Sequence, residues 1–414
     1  MKVGYVILYE DGELLISKNH TVLKRKVIKD YGEFEDINVP WKKESSKIKK
    51  VQILNQVKSN CMKNWFSDCI NLTTLIDFKN LDVSDCTDFS FMFYSCKSLQ
   101  NLNGLQSWNV SNSTDFSNMF IFCYALQNIN ALKNWDMSNG TDFSSMFNSC
   151  KSLQDLNGLE YWNVSNGINF SGMFCNCKSL QNLNGLQNWN VFNGTDFSYM
   201  FKYCDSLENL NGLQNWNVSN GINFSKMFSF CESLQEINSL GTWNVSNGTK
   251  FSFMFYSCNS LQNLNGLQSW NVSKGINFSK MFKYCESLKI INELQNWNVS
   301  NGENFSSMFA SCKSLQDLNG LENWNVSNSS IFNSMFVYCE SLQDIKELEN
   351  WNLSNGIDFF YMFAYCESLK EISLPNTLYI LKKEMFGKCN SNLKIHWKKH
   401  IYRYIDLLEY EKIY

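Results

Sequence analysis

Tryptophan recurs every 27 residues through most of this 414-residue chain, at ten positions from Trp108 to Trp351 without an insertion. Cysteine keeps the same step at twelve positions from Cys69 to Cys366. A fixed period between about 20 and 50 residues is typical of a solenoid, in which each repeat packs only on its neighbours. Because no repeat gains or loses a residue between these positions, we expect every rung to superpose on the next.

Each rung carries four apolar residues at one characteristic spacing, for example Phe197, Met200, Phe201 and Cys204. The spacing i, i+3, i+4, i+7 predicts one face of a two-turn helix. Asp or Asn precedes the first Phe in most rungs, as Asp196 does here, and is a typical helix N-cap. Leucines every third residue after the cysteine predict one short strand per rung that points them inward. The sequence therefore predicts an α/β repeat solenoid, leucine-rich-repeat-like, with one short strand and one short helix in each 27-residue rung.

The phrase Met-Phe-x-x-Cys-x-Ser-Leu-x-x-Leu, preceded by Trp-Asn-Val-Ser-Asn, resembles the repeat of the BspA-like family of leucine-rich-repeat surface proteins. The resemblance spans roughly residues 51–395. Near its end Met385, Phe386 and Cys389 return after a step of 23 residues, which is similar to a second repeat type of that family. The resemblance implies a bacterial-type solenoid used in adhesion or protein binding, and it offers no catalytic residues to carry over.

We expect three parts along the chain. In residues 1–50 the segments GYVILY and ELLISK flank Glu10-Asp11-Gly12, which predicts a hairpin within an N-terminal β cap that covers the first rung. Residues 51–395 form the solenoid, with about twelve 27-residue rungs and then one 23-residue rung from about residue 367. Residues 396–414 form a C-terminal cap, in which IYRYIDLLEYEKIY has helical spacing.

The charge and hydropathy of the sequence limit the classes of partner and the cellular locations that we expect. The formal net charge is -3 and no Lys/Arg-rich stripe appears, so we expect no nucleic-acid partner. No apolar stretch reaches the length of a membrane helix, and the N-terminal apolar run is too short for a signal peptide. These features predict no membrane insertion and a cytoplasmic location, whereas the resemblance implies a cell-surface or extracellular one. The oligomeric state stays open.

The residues that most often carry chemistry do not form a recognisable site. Twelve cysteines share the apolar face with Phe and Met and are interpreted as stacked buried thiols, although neighbouring rungs can approach disulfide distance. Cys175 and Cys177 lack a second pair or a nearby histidine, so no metal site is expected. His20, His396 and His400 lie in the caps without a nucleophile motif. We therefore predict a non-enzymatic protein with no catalytic residue, no cofactor and no metal.

Comparison of the rungs with one another separates fixed positions from variable ones. The position before each Met-Phe pair and the two positions after it vary, and they hold aromatic residues in several rungs. Exposed aromatic residues on a rigid surface are typical anchors for protein recognition. The alternative, that these residues pack on adjacent rungs to seal the stack, is equally open. The candidate partner-binding residues are Phe91, Tyr94, Phe122, Tyr199, Tyr203, Phe230, Phe253, Tyr256, Tyr284, Tyr338, Tyr361 and Tyr365.

A second, polar row follows the leucine segment. Its uncharged side chains suit a glycan or an extended peptide, or else they satisfy one another from rung to rung. The sequence favours a scaffold that binds a protein or another macromolecule over an extended surface, adhesin-like by resemblance, with a rigid structural spacer as the alternative. The row comprises Asn103, Asn130, Asn157, Asn184, Asn211, Asn238, Asn265, Asn292 and Asn319.

Overall fold

The computed structural model describes residues 1–407, with the backbone alone at Asp406. The described chain consists of two units. The first unit comprises Met1–Asp196, Tyr203–Asp205 and Asn211–Trp216. The second comprises Phe197–Lys202, Ser206–Leu210 and the described residues from Asn217 onward.

A mixed five-stranded sheet opens the first unit. The strands of this unit are β1 (Lys2–Tyr9), β2 (Glu13–Ser17), β3 (Val27–Glu35), β4 (Lys50–Leu54), β5 (Val57–Lys58), β6 (Thr74–Ile76) and β7 (Leu81–Asp82). The sheet has the order β3-β1-β2-β4-β6, and β5 and β7 pair separately in parallel. Strand β1 pairs antiparallel with β2 and β3, and the pairs β2/β4 and β4/β6 are parallel. The parallel pairs begin the stacking that the repeats continue, since each rung lies beside the preceding one in the same direction.

The second unit closes with a three-stranded sheet of β8 (Glu371–Ser373), β9 (Lys394–Trp397) and β10 (His400–Arg403), followed by the short helix α1 (Tyr404–Leu407). The strand order is β10-β9-β8. Strands β8 and β9 are parallel, and β9 and β10 are antiparallel. Of the cap expected at 396–414, residues 408–414 lie outside the described residues.

Between the two sheets the rungs consist mainly of turns and short 3-10 helices. In the first unit the 3-10 helices are Lys42–Lys47, Phe78–Asn80, Asn130–Leu132 and Leu159–Tyr161, and in the second unit they are Asn238–Thr242, Asn292–Leu294, Lys346–Leu348 and Lys383–Phe386.

Repeated aromatic side chains form continuous ladders inside each unit. In the second unit Trp297 stacks between Trp270 and Trp324, with ring centroids 6.2 and 6.4 Å apart and planes within 2° of parallel. The indole N–H of Trp297 donates to the carbonyl oxygen of Leu267 in the preceding rung at 2.9 Å. Two columns of phenylalanine stack in the same way. The 27-residue period thus produces a core in which each aromatic residue stacks on the equivalent residue of the neighbouring rung.

The prediction of a two-turn helix in each rung is wrong. Segment 278–285 is a run of tight turns, because Lys280 and Tyr284 adopt left-handed backbone conformations with φ of 57° and 64°. Every second amide from Phe278 to Tyr284 donates to a carbonyl of the next rung, at 2.8 to 3.0 Å. A helix would keep those hydrogen bonds within the rung, whereas the turns use them to join neighbours. The predicted apolar face is nevertheless buried, including Met281 and Cys285.

The prediction of one strand in each rung also overestimates the strand content. In the leucine segments of the second unit before β8, the strand is reduced to a single isolated bridge, Asn209 with Glu236, and the more frequent parallel bridges, such as Asn277 with Asn304, lie at the residue before each turn. A strand alternates its faces with a period of two, so leucines spaced three apart need a turn between them. In the first unit the Leu105 amide accordingly donates to the Leu102 carbonyl, and both side chains are buried.

The cysteines form a ladder of buried thiols. All sixteen lie in residues 1–407, and none is in a disulfide there. The Cys285 Sγ–H donates to the carbonyl oxygen of Phe255 in the preceding rung at 3.2 Å, and the same contact recurs along both units. Burial raises the pKa of the Cys285 thiol to about 12. A small apolar side chain with one weak donor therefore both fills the core and satisfies a backbone carbonyl.

Candidate functional site

The variable positions lie together on one surface of each unit, which we call the turn face. It comprises the position before each repeated Met-Phe pair and the two positions after it, and it contains all twelve candidate aromatic residues. The Met and Phe side chains of these pairs point into the core, for example Met254 and Phe255. The fixed residues therefore anchor each turn, and the variable residues occupy the outward positions beside them.

Ten of the twelve candidates have a left-handed backbone, with φ between 56° and 64°. For a residue with a Cβ this conformation costs about 1–2 kcal/mol. Other rungs place Ser, Asn, Gly or Lys at the same positions, for example Ser307 and Gly172. The stack itself therefore does not require an aromatic residue there. The ten residues are Phe91, Phe122, Tyr199, Tyr203, Phe230, Phe253, Tyr284, Tyr338, Tyr361 and Tyr365.

Exposure differs among the candidates. Tyr199, Tyr338 and Tyr361 are exposed, with 38%, 40% and 41% of their surface accessible. The other nine are half-buried, including Tyr203. Each ring thus exposes part of its surface to solvent, and neighbouring residues cover the rest.

The candidates contact one another across rungs. In the first unit Tyr94 lies 5.9 Å from Phe91 and 5.6 Å from Phe122 between ring centroids. In the second unit Tyr338 stacks on Tyr365 at 4.2 Å, and their hydrogen bond raises the pKa of the Tyr338 phenol. Packing between rungs and exposure therefore coexist at these residues, so the two interpretations of the sequence do not exclude each other.

The sequence analysis missed the lysines that share this surface in the second unit. Lys226 lies 4.8 Å from the Tyr199 ring centroid and 5.1 Å from that of Phe253, and Lys280 lies 4.8 Å from Phe253 on its other side. A lysine ammonium within about 6 Å of a ring face is attracted by the ring quadrupole. Tyr199, Lys226, Phe253 and Lys280 occupy the same position in successive rungs. Alignment of the rungs by position would have revealed this alternation.

The polar row of asparagines also lies at the surface. All nine residues from Asn103 to Asn319 are exposed. A different set of asparagines, in the Ser-Asn-Gly turns, joins the rungs: the side-chain amide of Asn301 donates to the Ser273 carbonyl of the preceding rung at 2.7 Å. The first row is therefore available to solvent, while the second serves the stack.

Metal ligands and membrane-spanning helices can be assessed for residues 1–407. Within that range no group of three or more His, Cys, Asp or Glu side chains is placed to hold a metal ion. None of the helices in the same range combines the length and the apolar character needed to cross a bilayer. A cleft of about 550 Å³ in the first unit is lined by Lys133, Trp135, Asp136 and Tyr161 among others, and it is wide open to solvent.

Comparison with solved structures finds repeat proteins of low sequence identity. A leucine-rich repeat protein from Eubacterium ventriosum is 14% identical, with 94% of this chain and 93% of that chain covered and a TM-score of 0.41. A leucine-rich cell surface protein from Faecalibacterium prausnitzii is 15% identical, with 97% and 95% covered and a TM-score of 0.37. No curated protein sequence matches this chain.

One protein-family model matches the chain repeatedly. Its matches cover residues 60–184, 114–236, 180–291 and 262–377, and together they take in most of the chain. These ranges contain the Trp ladder, most of the Phe and Cys ladders and every candidate residue of the turn face. The chain belongs to the family described as Mycoplasma protein of unknown function, DUF285.

Proposed function

We propose that this chain is a non-enzymatic repeat scaffold that binds another protein through the turn face. One observation carries the proposal: bulky aromatic residues occupy left-handed positions that the stack fills elsewhere with Ser, Asn or Gly. Since the conformation is unfavourable and the ring is not needed for stacking, a further role for the ring accounts best for its presence. Recognition of a protein surface suits rings that are large, stiff and partly exposed.

The resemblance of the Met-Phe-x-x-Cys-x-Ser-Leu-x-x-Leu phrase to BspA-like repeats supports a more specific version of this proposal. In that version the scaffold is adhesin-like and acts at a bacterial cell surface. The exposed asparagine row adds a second surface of suitable chemistry for a glycan. The alternative function is a rigid structural spacer, for which the regular ladders of the core suffice and the turn face is unimportant.

Replacing the three exposed tyrosines tests recognition against the spacer. We expect the triple variant Tyr199→Ser, Tyr338→Ser and Tyr361→Ser to capture at most about 10% of the amount of partner protein that the unchanged chain captures. The reason is that aromatic rings of this kind often dominate the binding energy of an interface. Serine already occupies the matching positions of other rungs, for example Ser307 and Ser311, so the thermal midpoint should stay within a few degrees. The measurement is quantitative capture by immobilised full chain from extracts of the producing cells, followed by mass spectrometry.

The matched control replaces exposed aromatic residues outside the turn face, Tyr161→Ser and Tyr379→Ser, which are 71% and 53% accessible. This control should capture the same partner as the unchanged chain. If the triple variant and the control retain the same partner, or if the unchanged chain captures none, the recognition proposal fails and the spacer function is favoured.

A further inference from the structure

Among the eleven 27-residue copies of the turn-face segment, lysine occurs only within four consecutive rungs, in three of them. The five-residue segment that starts one residue before the Met-Phe pair reads YMFKY at 199–203, KMFSF at 226–230, FMFYS at 253–257 and KMFKY at 280–284. Three of these four copies contain lysine, the other seven copies between 91 and 365 contain none, and none of the eleven contains Asp or Glu. The copy in the 23-residue rung, EMFGK at 384–388, has both Glu384 and Lys388. The whole chain carries a net charge of -3, so this local positive charge is not a general property of its surface.

The second unit holds these lysines against aromatic rings, and we call the group the lysine–aromatic patch. Lys202 lies 5.4 Å from Tyr199 and 5.6 Å from Phe230, measured from the ammonium nitrogen to the ring centroid. Lys283 lies 4.9 Å from the ring of Tyr284. The patch comprises Tyr199, Lys202, Lys226, Phe230, Phe253, Tyr256, Lys280, Lys283 and Tyr284.

Three lysines of the patch have no carboxylate partner in the described part of the chain. In residues 1–407, Lys226, Lys280 and Lys283 have no ion pair, and Lys226 instead donates to the Tyr199 hydroxyl at 3.0 Å. The acidic residue that follows in the last of these rungs, Glu286, is paired with Lys313 at 3.0 Å. Partial burial lowers the pKa of Lys283, since no carboxylate compensates for the lost solvation. Lys226, Lys280 and Lys283 therefore present ammonium groups that no carboxylate of residues 1–407 pairs with.

We propose that the lysine–aromatic patch binds an extended acidic segment of a partner protein. The inference rests on the proposed function, because it identifies the chemistry of the partner that the turn face would bind. Ammonium groups donate hydrogen bonds to carboxylates, and the ring edges between them offer apolar contact to the intervening side chains. Single-stranded nucleic acid fits less well, because bases stack on open ring faces and the lysine ammoniums already lie over these faces.

The spacing of the lysines specifies the segment further. Lys226 and Lys280 occupy the same position two rungs apart, which is about 10 Å at the usual spacing of about 4.8 Å between neighbouring backbone segments. A polyproline II segment repeats the same face every three residues, or about 9.3 Å. Acidic residues three apart in such a segment therefore match this pair of lysines, and the Phe253 ring lies between them.

A fluorescein-labelled peptide of five Glu-Pro-Pro triplets tests the inference, with the Gln-Pro-Pro peptide and a fifteen-nucleotide oligothymidine as comparisons. We expect the full chain to bind the acidic peptide in fluorescence anisotropy titrations at about 50 mM salt, with weaker binding at higher salt. Each exposed ion pair contributes a factor of about two to five. The variant K202Q/K226Q/K280Q/K283Q should therefore bind at least about tenfold more weakly.

Two further variants keep the test decisive. The variant K24Q/K42Q/K43Q/K47Q removes four exposed lysines outside the patch and should bind the acidic peptide like the unchanged chain. Arginine at the four patch positions should retain binding, which separates loss of charge from loss of fold. Absent peptide binding, equal binding by the glutamine variant, or tighter binding of oligothymidine would overturn the inference.

Failure of the inference and failure of the proposed function give different results. If the partner captured by the full chain is lost from the triple tyrosine variant but kept by K202Q/K226Q/K280Q/K283Q, the recognition function stands and the acidic-segment inference falls. If neither set of substitutions affects capture, both fall.

Discussion

Replacing Trp297 with alanine should lower the free energy of unfolding by about 3–5 kcal/mol, the usual cost of truncating a large buried aromatic residue. Trp297 is 2% accessible and lies between the indole rings of Trp270 and Trp324. Its removal leaves a cavity between two rings that stacked on it, and the Leu267 carbonyl loses a donor at 2.9 Å. Urea unfolding followed by far-ultraviolet circular dichroism measures the change.

The phenylalanine variant separates the two contributions at this position. Trp297→Phe keeps an aromatic ring in the ladder and removes the indole N–H, while the Leu267 carbonyl still accepts from the Trp270 amide at 3.1 Å. We therefore expect a smaller loss of about 1–3 kcal/mol, from one hydrogen bond and a smaller ring. The control Tyr161→Ala removes a residue that is 71% accessible and should change stability by less than about 0.5 kcal/mol. A Trp297→Ala variant as stable as this control would contradict the tryptophan ladder.

Raising the pH above about 9 should destabilise the fold steeply. Burial keeps the ladder thiols protonated in the folded state and raises the pKa of Cys285 and Cys339 to about 12. An unfolded cysteine titrates near pH 8.5 to 9. The stabilisation from each raised pKa is therefore fully present below about pH 8.5 and is lost as the pH rises toward 12, since only the unfolded chain releases the proton. Each such thiol lowers the free energy of unfolding by about 1.4 kcal/mol per pH unit.

Urea unfolding at a series of pH values from 7 to 10.5 measures this effect. The control is the triple variant Cys258→Ala, Cys285→Ala and Cys312→Ala, from which three titrating groups are absent. Its free energy of unfolding should be lower at pH 7 but should fall less steeply above pH 9. The two slopes should differ by about 4 kcal/mol per pH unit, because three thiols contribute about 1.4 each. An unchanged slope would assign the alkaline transition to tyrosine and lysine titration instead of the cysteine ladder.

The 27-residue period was sufficient to predict which side chains form the core, but it did not predict the backbone conformation of the rungs. The spacing of Phe278, Met281, Phe282 and Cys285 correctly placed four side chains in the interior, because tight turns with two left-handed residues return the same positions to the same face. The helix was wrong because nothing in a lysine or a tyrosine signals a positive φ. Such residues adopt it when hydrogen bonds to a neighbouring rung compensate for the local cost.

The candidate surface was predicted in outline, because variable positions stand out against fixed ones. The lysines escaped notice for a physical reason: a lone lysine on a solvent-facing position is ordinary, and each of Lys226, Lys280 and Lys283 looks so in isolation. Only the stacking of rungs brings Lys226 and Lys280 to either side of Phe253. A contact that depends on the register between rungs becomes visible once the rungs are superposed.

The central claim is that fixed positions of a rung build the stack and variable positions of the same rung bind the partner. Alanine substitution within one rung tests this most directly, with the thermal midpoint and the affinity for the acidic peptide measured for each variant. The account predicts that Phe282→Ala and Cys285→Ala lower the midpoint while peptide affinity of the folded protein is kept. It predicts that Lys280→Ala and Lys283→Ala weaken peptide binding while the thermal midpoint is kept. Equal loss of thermal stability at all four positions, with no selective loss of binding, would contradict the claim.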